Sequence, residues 1–446
     1  MAAPGDSRGQ AGLVVEYLFA AAILAALIAL IRFVVVNGYF PDPFFNDTTD
    51  TFMDWYNTAY WAHHGGAFEF WGSVYPPAAL FFAKVFSIKA CYAVSSEVGR
   101  SCDRTGVTLL SSLLVANTIL TYRVLRRAGV PGALPRAAAL GFGAPILLAW
   151  ERGNEIVPCY TVFILAYGRL LRSGWLRMLC AALTVNFKPY LIVLAVVPLI
   201  KRRWRWLEGF GVCLAVVYAL GYFAMGEGDP IHLLQDIGGF SETSPNPPIN
   251  ILRFAVTYRE LLQIINSDYP LMYFIGSRPM ELANTVFPPL MQLGGLGALA
   301  CLGAAGVRRD ALTANTLAAL TMCLLFTANG LGGYALDFLL FFIFVEHRRG
   351  VLGAVVVICA YLWCIPADIP VATLTHQAIR SYISGRLVFY DLHLTVGQFV
   401  RPAIFLVMEY ALIATSLLQI ARRVSGPHVS PRTPRPDAAS AGLEPA

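Results

Sequence analysis

Apolar residues arrive in long runs, near 13–36, 74–94, 107–125, 137–150, 156–171, 174–187, 189–200, 206–225, 286–306, 311–328, 333–345, 351–367 and 398–420. A bilayer core about 30 Å thick is crossed by a helix of about 20 apolar residues, so the pattern predicts an all-α polytopic membrane protein. Basic clusters recur between the runs: Arg123/Arg126/Arg127 to Arg136, Arg169/Arg172/Arg177, Lys201/Arg202/Arg203/Arg205, Arg308/Arg309, Arg348/Arg349 and Arg422/Arg423. The positive-inside rule assigns them to the cytoplasmic side. The connections rich in acids and aromatics, 37–73, 226–285 and about 368–397, then share the outer face. One run breaks the alternation. Counting back from the tail makes 95–106 external, although 74–94 also starts outside. Either 74–94 is re-entrant or the cluster near Arg126 violates the rule, which leaves about 11 to 13 spans.

Composition agrees with a membrane chain. Of 446 residues, 57% are hydrophobic and 13% charged, where a soluble chain carries roughly a quarter charged. The net charge of +6 sits in short clusters between runs, so it is no sign of a nucleic-acid partner. The nine cysteines lie mostly inside apolar runs, where they behave as small hydrophobes, and none has zinc-site spacing. Cys91 and Cys102 form a disulfide if their loop faces an oxidising compartment and remain two thiols otherwise. The run 13–36 is too long for a signal-peptide core and reads as the first span. Residues 1–424 form one transmembrane domain, and the Pro- and Ala-rich segment 425–446 reads as a disordered cytoplasmic tail.

The loop 37–73 concentrates the candidate chemistry. It carries Asp42, Asp47, Asp50, Asp54 and Glu69, many aromatics and the pair His63/His64, with no Lys or Arg. From about Thr48 it reads as an amphipathic interfacial helix, with Asp47, Thr48 and Thr49 as capping candidates. Asp50, Asp54 and Asn57 would then share one face. A carboxylate within reach of a sugar or lipid hydroxyl serves as a general base, while acids in a first turn also simply complement the helix dipole. Asp50 and Asp54 sharing a divalent cation is a further reading, but two carboxylates are few and no metal is required. His63 and His64 read as interfacial or structural. The loop closes in Tyr75-Pro76-Pro77, an ordinary helix start when taken alone.

Lys188, in Asn186-Phe187-Lys188-Pro189, stands between two apolar arms too short to span. That suggests two short helices with Lys188 at their apex, where a lysine costs about 3 kcal/mol without a partner. A lipid phosphate would offset this, as would snorkelling to the interface. Glu151-Arg152-Gly153-Asn154-Glu155 reads as an outward turn whose charges pair with each other or hold the first loop. In the second large outer loop, 226–285, Arg253 and Arg259 either grip a phosphate through the guanidinium fork or orient acidic neighbours. Asp337 interrupts an apolar run and should face a cavity or a partner.

These features resemble the GT-C-class glycosyltransferases, and among them the bacterial polyprenyl-phosphate-sugar-dependent mannosyltransferases and arabinofuranosyltransferases. The resemblance rests on the acidic first loop closing in Tyr75-Pro76-Pro77, Gly153-Asn154-Glu155, Lys188-Pro189 followed by Lys201 to Trp204, and the long later loop; it covers most of 13–345. It implies a GT-C-like bundle in a bacterial inner membrane, its active site facing the periplasm or exterior. It also implies a polyprenyl-phosphate sugar donor, a glycolipid or glycan acceptor, no cofactor and an inverting displacement. Asp50 is the best match to the family's base and Asp54 the second. Some members carry Ser-Pro and paired histidines in a late span, where this chain reads Asn329-Gly330-Leu331-Gly332-Gly333-Tyr334, so their sugar and acceptor specificities do not carry over.

The expected reaction is transfer of mannose or arabinofuranose. Asp50 acts as base and Asp54 supports it, Lys188 with Arg253 or Arg259 neutralises the departing phosphate, and Asn57, Tyr75, Asn154, Glu155 and Asp337 position acceptor or loop. A transporter or flippase of a lipid-linked sugar is the rival; it would spread polar residues along the spans and often show a twofold repeat, and no repeat is evident. A scaffold would explain the membrane but not Lys188.

Overall fold

A computed structural model describes residues 6–45, 47–243, 255–265, 276–329, 331–347 and 350–425. The chain is a membrane-embedded, mostly helical protein. Arg253 and the tail beyond 425 lie outside the described residues. The helices are α1 (Asp6–Asn37), α2 (Met53–His64), α3 (Pro77–Val85), α4 (Ser96–Cys102), α5 (Thr105–Arg127), α6 (Ala133–Phe142), α7 (Ala144–Arg152), α8 (Ile156–Tyr167) and α9 (Gly174–Phe187). They continue with α10 (Val196–Ile200), α11 (Trp204–Met225), α12 (Pro230–Thr243), α13 (Tyr258–Ile265), α14 (Ser277–Val307), α15 (Ala314–Ala328), α16 (Leu336–Val345), α17 (Gly350–Trp363) and α18 (Val396–Ser425). Six helical stretches among the described residues are long and apolar enough to cross a bilayer, with five shorter apolar helices beside them.

The most buried of the long stretches is 133–152, where α6 runs into α7. A side chain at Gly143 would strike the Ala139 carbonyl, so glycine permits the close turn between the two helices. Around this axis an aromatic core forms, with Phe163 of α8 packed edge-on against Phe338, Phe341 and Phe342 of α16. α1, by contrast, leaves Val35, Val36 and Ile28 exposed, as suits a lipid-facing helix.

The two ends of the bundle differ in chemistry. At one end Arg136 forks onto Glu16 at 2.7 Å and donates to the Phe344 carbonyl. There, too, Arg127 reaches the Leu170 carbonyl, Lys201 the Arg309 and Leu312 carbonyls, and Arg308 the Arg423 carbonyl. Basic residues far apart in sequence therefore bond backbone carbonyls at or beside helix ends on one face. The opposite face carries the long loops.

Segment 74–94 does not cross the bundle. α3 has nine residues, about 14 Å of helix, and its end turns back to the start of α5. Ile88 N donates to Asp103 Oδ2 at 3.0 Å, and Thr105 Oγ1 donates to the Phe86 carbonyl at 3.0 Å. Of the two alternatives for this run, the re-entrant one matches the geometry, and Arg126 and Arg127 keep to the basic face. A disulfide joins Cys91 to Cys102.

Two expectations for the loop face need correction. The interfacial helix does not start near Thr48. It begins at Met53, after Phe52 adopts a left-handed φ of 62°, so Asp50 lies outside α2 and shares no helix face with Asp54 and Asn57. Its buried side packs inward, Trp55 on Phe82 and Tyr56 on Tyr92. The segment 368–397, expected only as an outer connection of an all-α chain, contains two strands. Strands β1 (Pro370–Arg380) and β2 (Leu387–Thr395) form an antiparallel hairpin. Its tip docks on the first loop, with Ser381 Oγ donating to the Gly38 carbonyl and Tyr382 N to Thr48 Oγ1 at 3.3 Å.

Candidate functional site

The site forms where two chain reversals interlock. α7 ends at Gly153 in a left-handed φ of 71°, and a side chain there would sit 2.7 Å from the Phe52 carbonyl oxygen. Phe52 in turn donates its N–H to the Glu151 carbonyl at 2.8 Å. Only glycine combines that φ with that approach. The docking brings Arg152 and Asn154 against the first loop, and the carboxylates there organise around them.

Arg152 bridges the two aspartates. Its Nη1 lies 2.6 Å from Asp50 Oδ2 and its Nη2 2.7 Å from Asp54 Oδ1, while its guanidinium stacks 4.4 Å from the Phe45 ring centre. Asn154 Nδ2 donates to the other Asp54 oxygen at 2.7 Å and to Tyr75 Oη at 3.3 Å. The orientation of that amide is fixed, because Asn154 Oδ1 accepts from Ile156 N at 3.1 Å. Asp54 thus has both oxygens engaged, whereas among the described residues Asp50 is held by one oxygen, and its side chain is 37% exposed against 20% for Asp54. Among carboxylates of similar type, the one with a free, accessible oxygen is the better proton acceptor. The Arg152 guanidinium also occupies the place between the aspartates that a shared cation would take. Among the described residues no cluster of three or more His, Cys, Asp or Glu side chains forms a metal-ligand set.

Lys188 completes the centre. α9 ends at Phe187, Lys188 is extended, and Pro189–Ala195 continues as a 3-10 turn before α10. The break at Pro189 follows from its missing N–H. The lysine is 8% exposed, its Nζ 4.4 Å from the Tyr75 ring centre, with no ion pair or hydrogen bond to its ammonium among the described residues. Asp54 and Glu155 are the carboxylates nearest to it in effect. Glu155 is fully buried, with neither oxygen hydrogen-bonded among the described residues.

The predicted residues divide cleanly. Asp50, Asp54, Tyr75, Asn154, Glu155 and Lys188 come together. Asn57 is half-buried on α2 and takes no part in the network. Asp337 sits sealed in α16 near Tyr160, with neither oxygen hydrogen-bonded among the described residues, and does not reach the centre. Arg259 is exposed, its Nη1 donating to the Ala328 carbonyl. Nearby, Ala255 pairs with Gly332. His63 and His64 are structural, bonded to Ser87 Oγ at 2.9 Å and the Tyr60 carbonyl at 3.0 Å.

Of the two readings of 151–155, the geometry matches the one in which the turn holds the first loop, through Arg152, which sequence alone does not single out. Gly153 was the available signal, because a glycine inside a charged turn marks a left-handed residue and a close backbone approach. Tyr334, in the field of Asp54 and Arg152, carried no signal in sequence. Compared with family models, curated proteins and solved structures, the chain matches none.

Proposed function

We propose that this centre transfers a sugar from a polyprenyl-phosphate donor to a hydroxyl of a glycolipid or glycan acceptor at the outer membrane face. The observation that carries the reading is the buried Lys188 ammonium, without an ion pair or hydrogen bond among the described residues, beside an Arg152-bridged pair of aspartates on the loop-bearing face. A buried cation with no directly bonded partner leaves a place for an anion from outside, since burying a charge without hydrogen bonds is costly. A lipid-phosphate diester brings one negative charge, and its departure as a phosphate monoester builds more, which Lys188 stabilises in a dry setting.

Asp50 takes the proton from the acceptor hydroxyl as its oxygen attacks the anomeric carbon. The bond from that carbon to the phosphate oxygen breaks on the opposite side, so configuration inverts. Asp54 holds Arg152 and Asn154 in place and keeps Asp50 oriented. Arg152 takes no proton and serves as the bracket between the acids. Orientation toward an oxidising compartment, the periplasm or exterior of a bacterial inner membrane, is supported by the Cys91–Cys102 disulfide on the same face and by the basic clusters on the other.

The test is transfer of radiolabelled mannose or arabinose from polyprenyl phosphate by membranes containing the protein, with the anomeric configuration of the product determined. Inverted product supports the reading. Retained configuration, or no transfer from any polyprenyl-phosphate sugar, overturns it.

A further inference from the structure

Asp50 is presented by a turn that has little structure of its own. Asp47 Oδ1 accepts from Thr49 N and Thr49 Oγ1 at 2.8 and 2.6 Å, and Asp50 N reaches the Asp47 carbonyl at a long 3.2 Å. Outside the turn, Arg152 reaches the Asp50 carbonyl at a long 3.4 Å as well as its carboxylate, and Arg100 makes the larger set of backbone contacts. Its Nη1 donates to three carbonyls, those of Thr48, Thr49 and Thr51, at 3.1, 2.6 and 3.1 Å. These carbonyls bracket Asp50 in the chain, so the grip decides where its side chain starts. The guanidinium also lies 4.3 Å from the ring centre of Tyr382 at the hairpin tip, and Tyr382 N is bonded to Thr48 Oγ1. One cation thereby ties together α4, the 47–51 turn and the hairpin.

α4 is too short to be rigid alone, at seven residues; isolated helices of that length are unstable. Its C-terminal residue is Cys102, two positions after Arg100, and the disulfide ties it to Cys91 in the Lys89–Tyr92 turn. Tyr92 is anchored in turn, its hydroxyl donating to Asp103 Oδ2 at 3.0 Å and its ring lying where a Gly99 side chain would be. We propose that Arg100 is a positioning residue for Asp50 and that the Cys91–Cys102 disulfide sets Arg100, so that the competence of the site depends on the oxidation state of this bond. The assignment rests on the glycosyl-transfer reading for what Asp50 does, and on geometry alone for how Asp50 is held.

A dithiol reductant delivers two electrons and two protons to the bond, which opens to two thiols while the reductant closes to its own disulfide. Without that tether α4 frays, and Arg100 loses its fixed origin. The experiment compares the oxidised full chain in lipid nanodiscs with the same protein after dithiothreitol, with Cys91→Ser/Cys102→Ser, and with Arg100→Ala and Arg100→Lys. Hydrogen exchange at the amides of 49–53 is one readout, and the kcat and KM of sugar transfer are the other. Exchange at 49–53 is expected to rise on the order of tenfold on reduction and in Arg100→Ala while α5 stays protected. kcat is expected to fall on the order of 100-fold with the donor KM unchanged, and Arg100→Lys to recover part of the loss.

Unchanged exchange at 49–53 in both the reduced protein and Arg100→Ala overturns the proposal. So does a rise spread equally over α5, which would make the disulfide a general stabiliser. A wild type without transfer activity removes the glycosyl-transfer reading, while the exchange data still decide whether Arg100 and the disulfide hold the Asp50 turn.

Discussion

At the scale of single residues, the centre depends on the geometry of one guanidinium. Arg152 meets two carboxylates with separate nitrogens, which a lysine cannot do from one point charge. Arg152→Lys is therefore expected to lower kcat on the order of 100-fold through misplacement of Asp50, as initial transfer rates would reveal. Gly153→Ala should do the same by a different route, because its side chain meets the Phe52 backbone and forces the α7 end away from the first loop. Lys188→Met keeps the volume and the contact with Tyr75 but removes the charge. Loss of that charge is expected to slow the transfer step by about 10²-fold or more while the protein accumulates normally in the membrane. An unchanged rate would take Lys188 out of the mechanism.

At the scale of elements, some features were legible in sequence and others were not. The break at Lys188-Pro189 was readable, since proline cannot continue the hydrogen-bond ladder. Apolar runs located the helices, although 74–94 had the composition of a span and the geometry of a loop. What reverses it is Asp103, which gathers Ile88 N and the Tyr92 hydroxyl from one side and Thr105 N from the other, a set of long-range bonds that no local pattern announces. The start of α2 was misplaced for a similar reason, because Phe52 gives its N–H to Glu151 across the fold rather than to a local helix. The hairpin is hard to read in sequence although Ser384-Gly385, with Gly385 at a φ of 68°, marks the turn, because the strands' exposed apolar residues lack a clean alternation.

α13 supports a separate prediction. Glu260 is buried, accepts from Thr257 Oγ1 at 3.1 Å, and burial pushes its carboxyl up to about 7 from 4.5. Between those values the folded form binds more protons than the unfolded one, so docking of α13 weakens as pH rises from 4.5 to about 7 and then levels off. Glu260→Gln should abolish that dependence, measured as hydrogen exchange of 258–265 corrected for intrinsic rates. A slope that survives the substitution would assign it to another group.

At the scale of the whole molecule, the protein is a bundle with a basic face and a face of interlocked loops, and the second depends on the first only through the helices between them. The Arg136–Glu16 fork ties α1, α6 and the end of α16 together on the basic face. Glu16→Ala leaves a largely buried guanidinium without its partner and should cost about 3–5 kcal/mol, seen as a lower Tm in detergent with kcat intact in the surviving protein. Nothing in that prediction touches the loop face, where the central claim lies. The measurement that tests it most directly is sugar transfer from polyprenyl phosphate by wild type, Asp50→Asn and Asp54→Asn at matched protein levels. With Asp50 as the base, Asp50→Asn should lose about 10²–10⁴-fold, and Asp54→Asn should lose less. Full activity in both variants would contradict the account, and activity lost only in Asp54→Asn would move the base one turn into α2.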